Sequence, residues 1–117
     1  MLFRKPAVQE LTPAEVQERL RRDEITLIDV REPQEFAAES LRGAHLVPLS
    51  TLDPGALPRP QGRPVVIHCV TGRRSAAADA RCAQTGVAAA AHMKGGLVAW
   101  KAAGLPTVAG GTAAPRR

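Results

Sequence analysis

The chain has 117 residues, 44% of them hydrophobic and 23% charged, with a formal net charge of +5. That length suits one domain around one core, and no run is long and apolar enough to cross a bilayer as a helix. The two cysteines stand thirteen positions apart in no CxxC or metal-ligand pattern, so neither a disulfide framework nor a metal site is expected.

Val8–Leu11 reads as a short edge strand. Thr12, Pro13 and Glu15 then open a helix, with Thr12 as N-cap and Glu15 completing a capping box, and Val16 and Leu20 give it an apolar stripe. Ile25–Val30 is β-branched and mostly apolar, as a strand buried on both faces should be. Pro33–Glu39 predicts a short helix anchored by Phe36, and Ala44–Leu49 another strand. The proline- and glycine-rich stretch 50–64 predicts a surface crossover with one helical turn at Ser50–Leu52. Val65–His68 is a strand, Ser75–Thr85 a helix closed by Gly86, Val87–Met93 a strand, and Leu97–Ala103 a helix stopped by Gly104 and Pro106. Residues 110–117 read as a disordered basic tail, leaving one domain over 1–109. Strands alternating with helices imply right-handed βαβ units and a largely parallel sheet with helices on both faces. Such sheets bind ligands at the carboxyl ends of their strands, where Asp29 and Cys69 both fall.

Cys69 is the residue with chemistry. It follows the Val65–His68 strand, precedes the loop Val70-Thr71-Gly72-Arg73-Arg74, and that loop runs into the helix beginning near Ser75. A helix N-terminus offers unpaired N–H groups and a partial positive charge, and both stabilise an anion. A free thiol has a pKa near about 8.5, and each unit of depression needs about 1.4 kcal/mol. Loop N–H groups, the helix dipole and two guanidiniums supply about 2–3 kcal/mol, enough to make thiolate the majority form. Cys82, inside the predicted helix, reads as packing, and His68 should point to the opposite sheet face from Cys69. His45 and His92 read as isolated, and Trp100 as a core anchor.

The run Cys69-Val-Thr-Gly-Arg-Arg-Ser75 resembles the active-site loop of rhodanese-like sulfurtransferases. Leu27-Ile-Asp-Val-Arg-Glu-Pro-Gln-Glu-Phe36 resembles the family's first signature, and Met93-Lys-Gly-Gly-Leu-Val-Ala-Trp-Lys-Ala-Ala-Gly-Leu-Pro106 its closing one. Gly43-Ala44 with Val47-Pro48-Leu49 is a weaker fourth match. The resemblance implies a three-layer α/β sandwich whose central, largely parallel sheet has about five strands. It implies Cys69 as the catalytic nucleophile, a substrate loop of Val70, Thr71, Gly72, Arg73, Arg74 and Ser75, and supporting roles for Asp29 and Arg31. Arg73 and Arg74 would orient an anionic donor, one of them, Arg74 for preference, instead fixing the loop. Asp29 would pair with a loop group or with Arg31. Ser75 reads as a helix cap. Where many members carry Gly-His, this chain has Glu39-Ser40.

In this superfamily a six-residue loop, here Cys69 to Arg74, goes with sulfur transfer, and a loop one residue longer with phosphate or arsenate. A cysteine phosphatase also wants arginine six positions after its cysteine, where this chain has Ser75. The expected activity is therefore transfer of a sulfane sulfur from thiosulfate or a persulfide to a thiol or cyanide through a Cys69 persulfide, without a cofactor or metal. The alternatives are a sulfur carrier working with a thiol-carrying protein, a phosphatase or arsenate reductase, and a non-enzymatic regulatory domain. Phe3, Phe36 and Trp100 are too few aromatics for a base-stacking platform, so no nucleic-acid partner is expected, and no membrane partner either. The positive charge would instead draw small anions to the site. Met1–Pro6 lacks the apolar stretch of a signal peptide, which with a free thiol suggests a cytoplasmic protein.

Overall fold

A computed structural model describes residues 9–86 and 91–109. The elements in chain order are β1 (Glu10–Leu11), α1 (Pro13–Arg21), β2 (Thr26–Asp29), α2 (Pro33–Ala38), β3 (Glu39–Ser40), β4 (His45–Leu46), β5 (Val65–His68), α3 (Arg73–Gln84), β6 (Ala91–Met93), α4 (Gly96–Ala102) and β7 (Val108–Ala109). The main sheet has five strands in the order β1-β6-β5-β2-β4, every neighbouring pair parallel. β5 is therefore central, paired with β2 from Thr26–Val65 to Asp29–His68. All four residues of β2 and all four of β5 are buried, as continuous apolar runs in a covered parallel sheet should be.

Two cores flank this sheet. One joins Val16 of α1, Phe36 of α2, and Leu97 and Trp100 of α4 to Leu27, Val66 and Met93. The other joins Ala78 and Cys82 of α3 to Ile28, Val65, Ile67 and Cys69, with Leu52 and Leu57 closing it from the crossover. The expected three-layer α/β architecture is therefore present. The capping box of α1 is present too: the Thr12 hydroxyl accepts from Glu15 N–H at 3.2 Å, and the Glu15 carboxylate accepts from Thr12 N–H at 2.8 Å.

Four expectations change. The 50–64 crossover contains three short 3-10 turns rather than one, Leu49–Thr51, Pro54–Ala56 and Pro60–Gly62, each of the last two opened by a proline. The strand expected over Ala44–Leu49 keeps only His45–Leu46, with Pro48 beside it lacking an N–H to extend the ladder. Helix α2 ends at Ala38, and Glu39–Ser40 is instead a strand, pairing antiparallel with β7 at Ser40–Val108 and Glu39–Ala109. Helix α3 starts at Arg73, two residues early, because Gly72 adopts φ +103° and turns the chain there. The first eight residues, residues 87–90 of the strand expected over Val87–Met93, and residues 110–117 expected as a tail lie outside the described residues. Among the described residues no helix is long and apolar enough to cross a membrane.

Candidate active site

Cys69 stands at the carboxyl end of the central strand, 1% exposed. The N-cap of α3 is Gly72, which has no side chain to cap it; the Cys69 sulfur takes that place. It accepts from the N–H of Gly72 at 3.1 Å and of Ser75 at 3.3 Å, with the Thr71 N–H also directed at it. The Ser75 hydroxyl lies 3.6 Å from the sulfur. Burial raises the Cys69 thiol, but these hydrogen bonds, led by the Ser75 hydroxyl, outweigh it and leave the thiol below its ordinary value. Cys82, equally buried but inside α3, is pushed the other way, by burial first and then by Asp79. The two cysteines thus differ in chemistry because only one faces the helix N-terminus.

The loop is held from behind by α4. Leu97 N–H donates to the Cys69 carbonyl at 2.8 Å and Val98 N–H to the Val70 carbonyl at 3.0 Å. With those carbonyls engaged outward, the amides that follow turn inward to the sulfur. The approach requires Gly96: a Cβ there would lie 2.5 Å from the Cys69 oxygen and from the Val70 carbonyl carbon and oxygen. Gly72, at φ +103°, packs in turn against Gly95.

The two arginines of the loop separate. Arg74 makes a bidentate pair with Glu35 of α2, at 2.8 and 3.0 Å, and so fixes the loop to the neighbouring helix. The Arg74 guanidinium holds the Glu35 carboxyl down at about 2. Arg73 is exposed at the rim and forms no ion pair among the described residues. Thr71 is exposed beside it, and Val70 is half-buried.

Asp29 and Arg31 form a buried pair with each other, not with the loop. Arg31 Nε lies 3.0 Å from both Asp29 oxygens, one Nη lies 2.7 Å from Asp29 Oδ2, and the Arg31 N–H donates to Asp29 Oδ1 at 2.9 Å. The same guanidinium reaches the Glu39 carbonyl at 2.6 Å and so ties β2 to β3. His68 Nε2 is 3.5 Å from Asp29 Oδ2, and burial pushes the imidazole pKa down, keeping the ring neutral.

Sequence reasoning missed one participant. Ser75 does not cap the helix with its hydroxyl; it bridges Cys69 to His92, whose Nδ1 is 3.0 Å from Ser75 Oγ. His92 Nε2 lies 3.2 Å from Glu10 on the edge strand. Alternation along Ala91-His92-Met93 sets His92 opposite Met93, on the face that α3 covers, and that was the available signal.

The fold and site define an α/β domain with a cysteine sulfur cradled by backbone amides at the carboxyl end of its central parallel strand. The chain belongs to the rhodanese-like domain family, which matches residues 12–103. It is 42% identical over 98 residues to an uncharacterized protein of Synechocystis, covering 84% of this chain and 55% of that one, so it spans about half that relative's length. It is 33% identical over 103 residues to a sulfurtransferase of Allochromatium vinosum, covering 87% of this chain and 96% of the relative. A rhodanese-related protein from Thermoplasma volcanium superposes with TM-score 0.75 at 29% identity, covering 86% of this chain and 97% of that one.

Proposed function

We propose that this chain is a sulfurtransferase that carries sulfane sulfur as a Cys69 persulfide. The observation that carries the reading is the Cys69 sulfur accepting from the amides of Thr71, Gly72 and Ser75 at a helix N-terminus. The Cys69 thiolate attacks the outer sulfur of thiosulfate; the S–S bond breaks and sulfite leaves with the bonding pair. A thiolate acceptor or cyanide then attacks the outer sulfur and Cys69 leaves as thiolate. This is double displacement, and a preformed thiolate needs no separate base at that step. Arg73, without an ion pair among the described residues, attracts the anionic donor, while Arg74 and the Asp29–Arg31 pair hold the loop and the strand end in place. Ser75 at the phosphatase arginine position speaks against phosphate chemistry. Both cysteines are free, which suits a reducing, cytoplasmic setting.

The test is intact mass after incubation with thiosulfate. One added sulfur atom is expected on the wild type, removed by cyanide and absent in Cys69→Ser. Retained sulfur on Cys69→Ser would overturn the mechanism. Loading only from a protein persulfide would make the chain a carrier for a thiol-bearing partner.

A further inference from the structure

His92 is buried, yet its ring is engaged at both nitrogens: Nδ1 with Ser75 Oγ at 3.0 Å, and Nε2 with Glu10 at 3.2 Å. Ser75 Oγ in turn lies 3.6 Å from Cys69 Sγ. The four groups form an unbroken line from the nucleophile, across β6, to a carboxylate on edge strand β1 whose side chain is 49% exposed. Burial requires partners for both ring nitrogens; here those partners join the nucleophile at one end to a solvent-facing carboxylate at the other.

We propose that Ser75, His92 and Glu10 form a proton relay that takes the Cys69 proton along the α3-covered face of the sheet to its β1 edge. The proposal rests on the sulfurtransferase reading for its purpose and on the contacts alone for its existence. In the thiol state the Cys69 S–H donates to Ser75 Oγ, the Ser75 O–H to His92 Nδ1, and His92 Nε2–H to the Glu10 carboxylate. On ionisation the sulfur's proton passes to Ser75 Oγ while the serine's own proton passes to His92 Nδ1. One S–H bond breaks, one N–H bond forms, and the hydroxyl is regenerated. The products are a thiolate, an imidazolium and the Glu10 carboxylate, with no further reactant. The serine hydroxyl then donates to the sulfur rather than to the Gly72 carbonyl, 3.2 Å away, which competes for it. The proton thus leaves at the β1 edge of the sheet while a donor occupies the mouth of the loop.

The groups facing His92 come from three neighbouring elements. Glu10 comes from β1, Asp79 from α3 is a buried carboxyl close enough to feel the imidazolium, and Ile67 of β5 is apolar. His92 acts through Ser75 and is a positioning residue, so the test must read the charge on sulfur. Thiolate absorbance and iodoacetamide alkylation are followed against pH in the wild type, Ser75→Ala, His92→Gln and the double variant. Each single variant is expected to raise the thiol pKa by about one unit, a tenfold loss of thiolate on the rising limb. The double variant is expected to go no further than the larger single one, because links in series are not additive. An unmoved thiol in His92→Gln, or additive shifts, would overturn the relay. A second measurement needs no variant: the His92 ring is titrated by NMR before and after Cys69 is alkylated. Loss of the thiolate is expected to lower the ring's pKa, and an unchanged ring would overturn the relay. Neither readout uses a sulfur donor. A chain that titrates this way but gains no sulfur would sink the sulfurtransferase reading and leave the relay standing.

Discussion

Gly96 shows how one missing side chain sets the chemistry of a residue 27 positions earlier. The α4 backbone can hold the Cys69 and Val70 carbonyls only because nothing projects from Gly96 into the 2.5 Å that a Cβ would need. Gly96→Ala must push helix or loop aside, at about 1–3 kcal/mol by analogy with overpacked sites. The expected result is a lower denaturation midpoint together with slower alkylation of Cys69, since the inward amides would turn. Gly86→Ala is the matching control. Its φ of +78° makes a Cβ cost about 1 kcal/mol, but no atom of the described residues lies within 4 Å, so stability should fall and the alkylation rate should not. The glycine pair was visible in the sequence as part of a family signature, whereas its reason, contact with a loop from another part of the chain, was not.

Among elements, the join between α2 and α3 rests on Glu35 and Arg74. Glu35 has its folded pKa depressed to about 2 by Arg74, so the pair's stabilisation is fully present above the unfolded carboxylate value and disappears as pH falls through the folded one. Both side chains are about a third exposed, 35% and 32%, so solvent screening reduces the contribution to about 1 kcal/mol. Glu35→Gln should therefore be less stable than wild type by about 1 kcal/mol at neutral pH, with the gap closing between about pH 4.5 and 2, as measured by urea denaturation across that range. The strands and helices that carry a hydrophobic period were legible, and β5 matched residue for residue. The β3–β7 ribbon was not. Two-residue strands have no period to read, and Ser40 meets Val108 only because the chain returns from the far side of α4. Trp100 helps enforce that return, its Nε1–H donating to the Pro106 carbonyl at 2.8 Å.

At the level of the whole molecule, a net charge of +5 surrounds a site whose one unpaired guanidinium among the described loop residues is Arg73. Long-range attraction of this kind weakens as the Debye length shrinks from about 30 Å at 0.01 M to about 8 Å at 0.15 M ionic strength. The ratio of Cys69 alkylation by anionic iodoacetate to that by neutral iodoacetamide should therefore fall as salt is added. Arg73→Ala should start lower and fall less. Equal salt curves for the two reagents would show that charge does not guide access. Cys69, its loop and the Asp29 rim were readable because each is contiguous in sequence. His92 and Glu10 were not, because only the parallel register of β1, β6 and β5 brings them into line behind Ser75.

The near-complete burial of Cys69, 1% exposed, has a stereochemical consequence. In the proposed persulfide, the second sulfur would stand about 2 Å farther out, toward the mouth of the loop. An incoming thiolate meets that outer atom first, along the line of the S–S bond, while the inner one is walled in by the amides of residues 71, 72 and 75. Attack on the inner atom would yield a dead-end mixed disulfide and free hydrosulfide; attack on the outer one passes the sulfur on. The depth of the cysteine thus selects which of two chemically similar atoms reacts, by geometry alone.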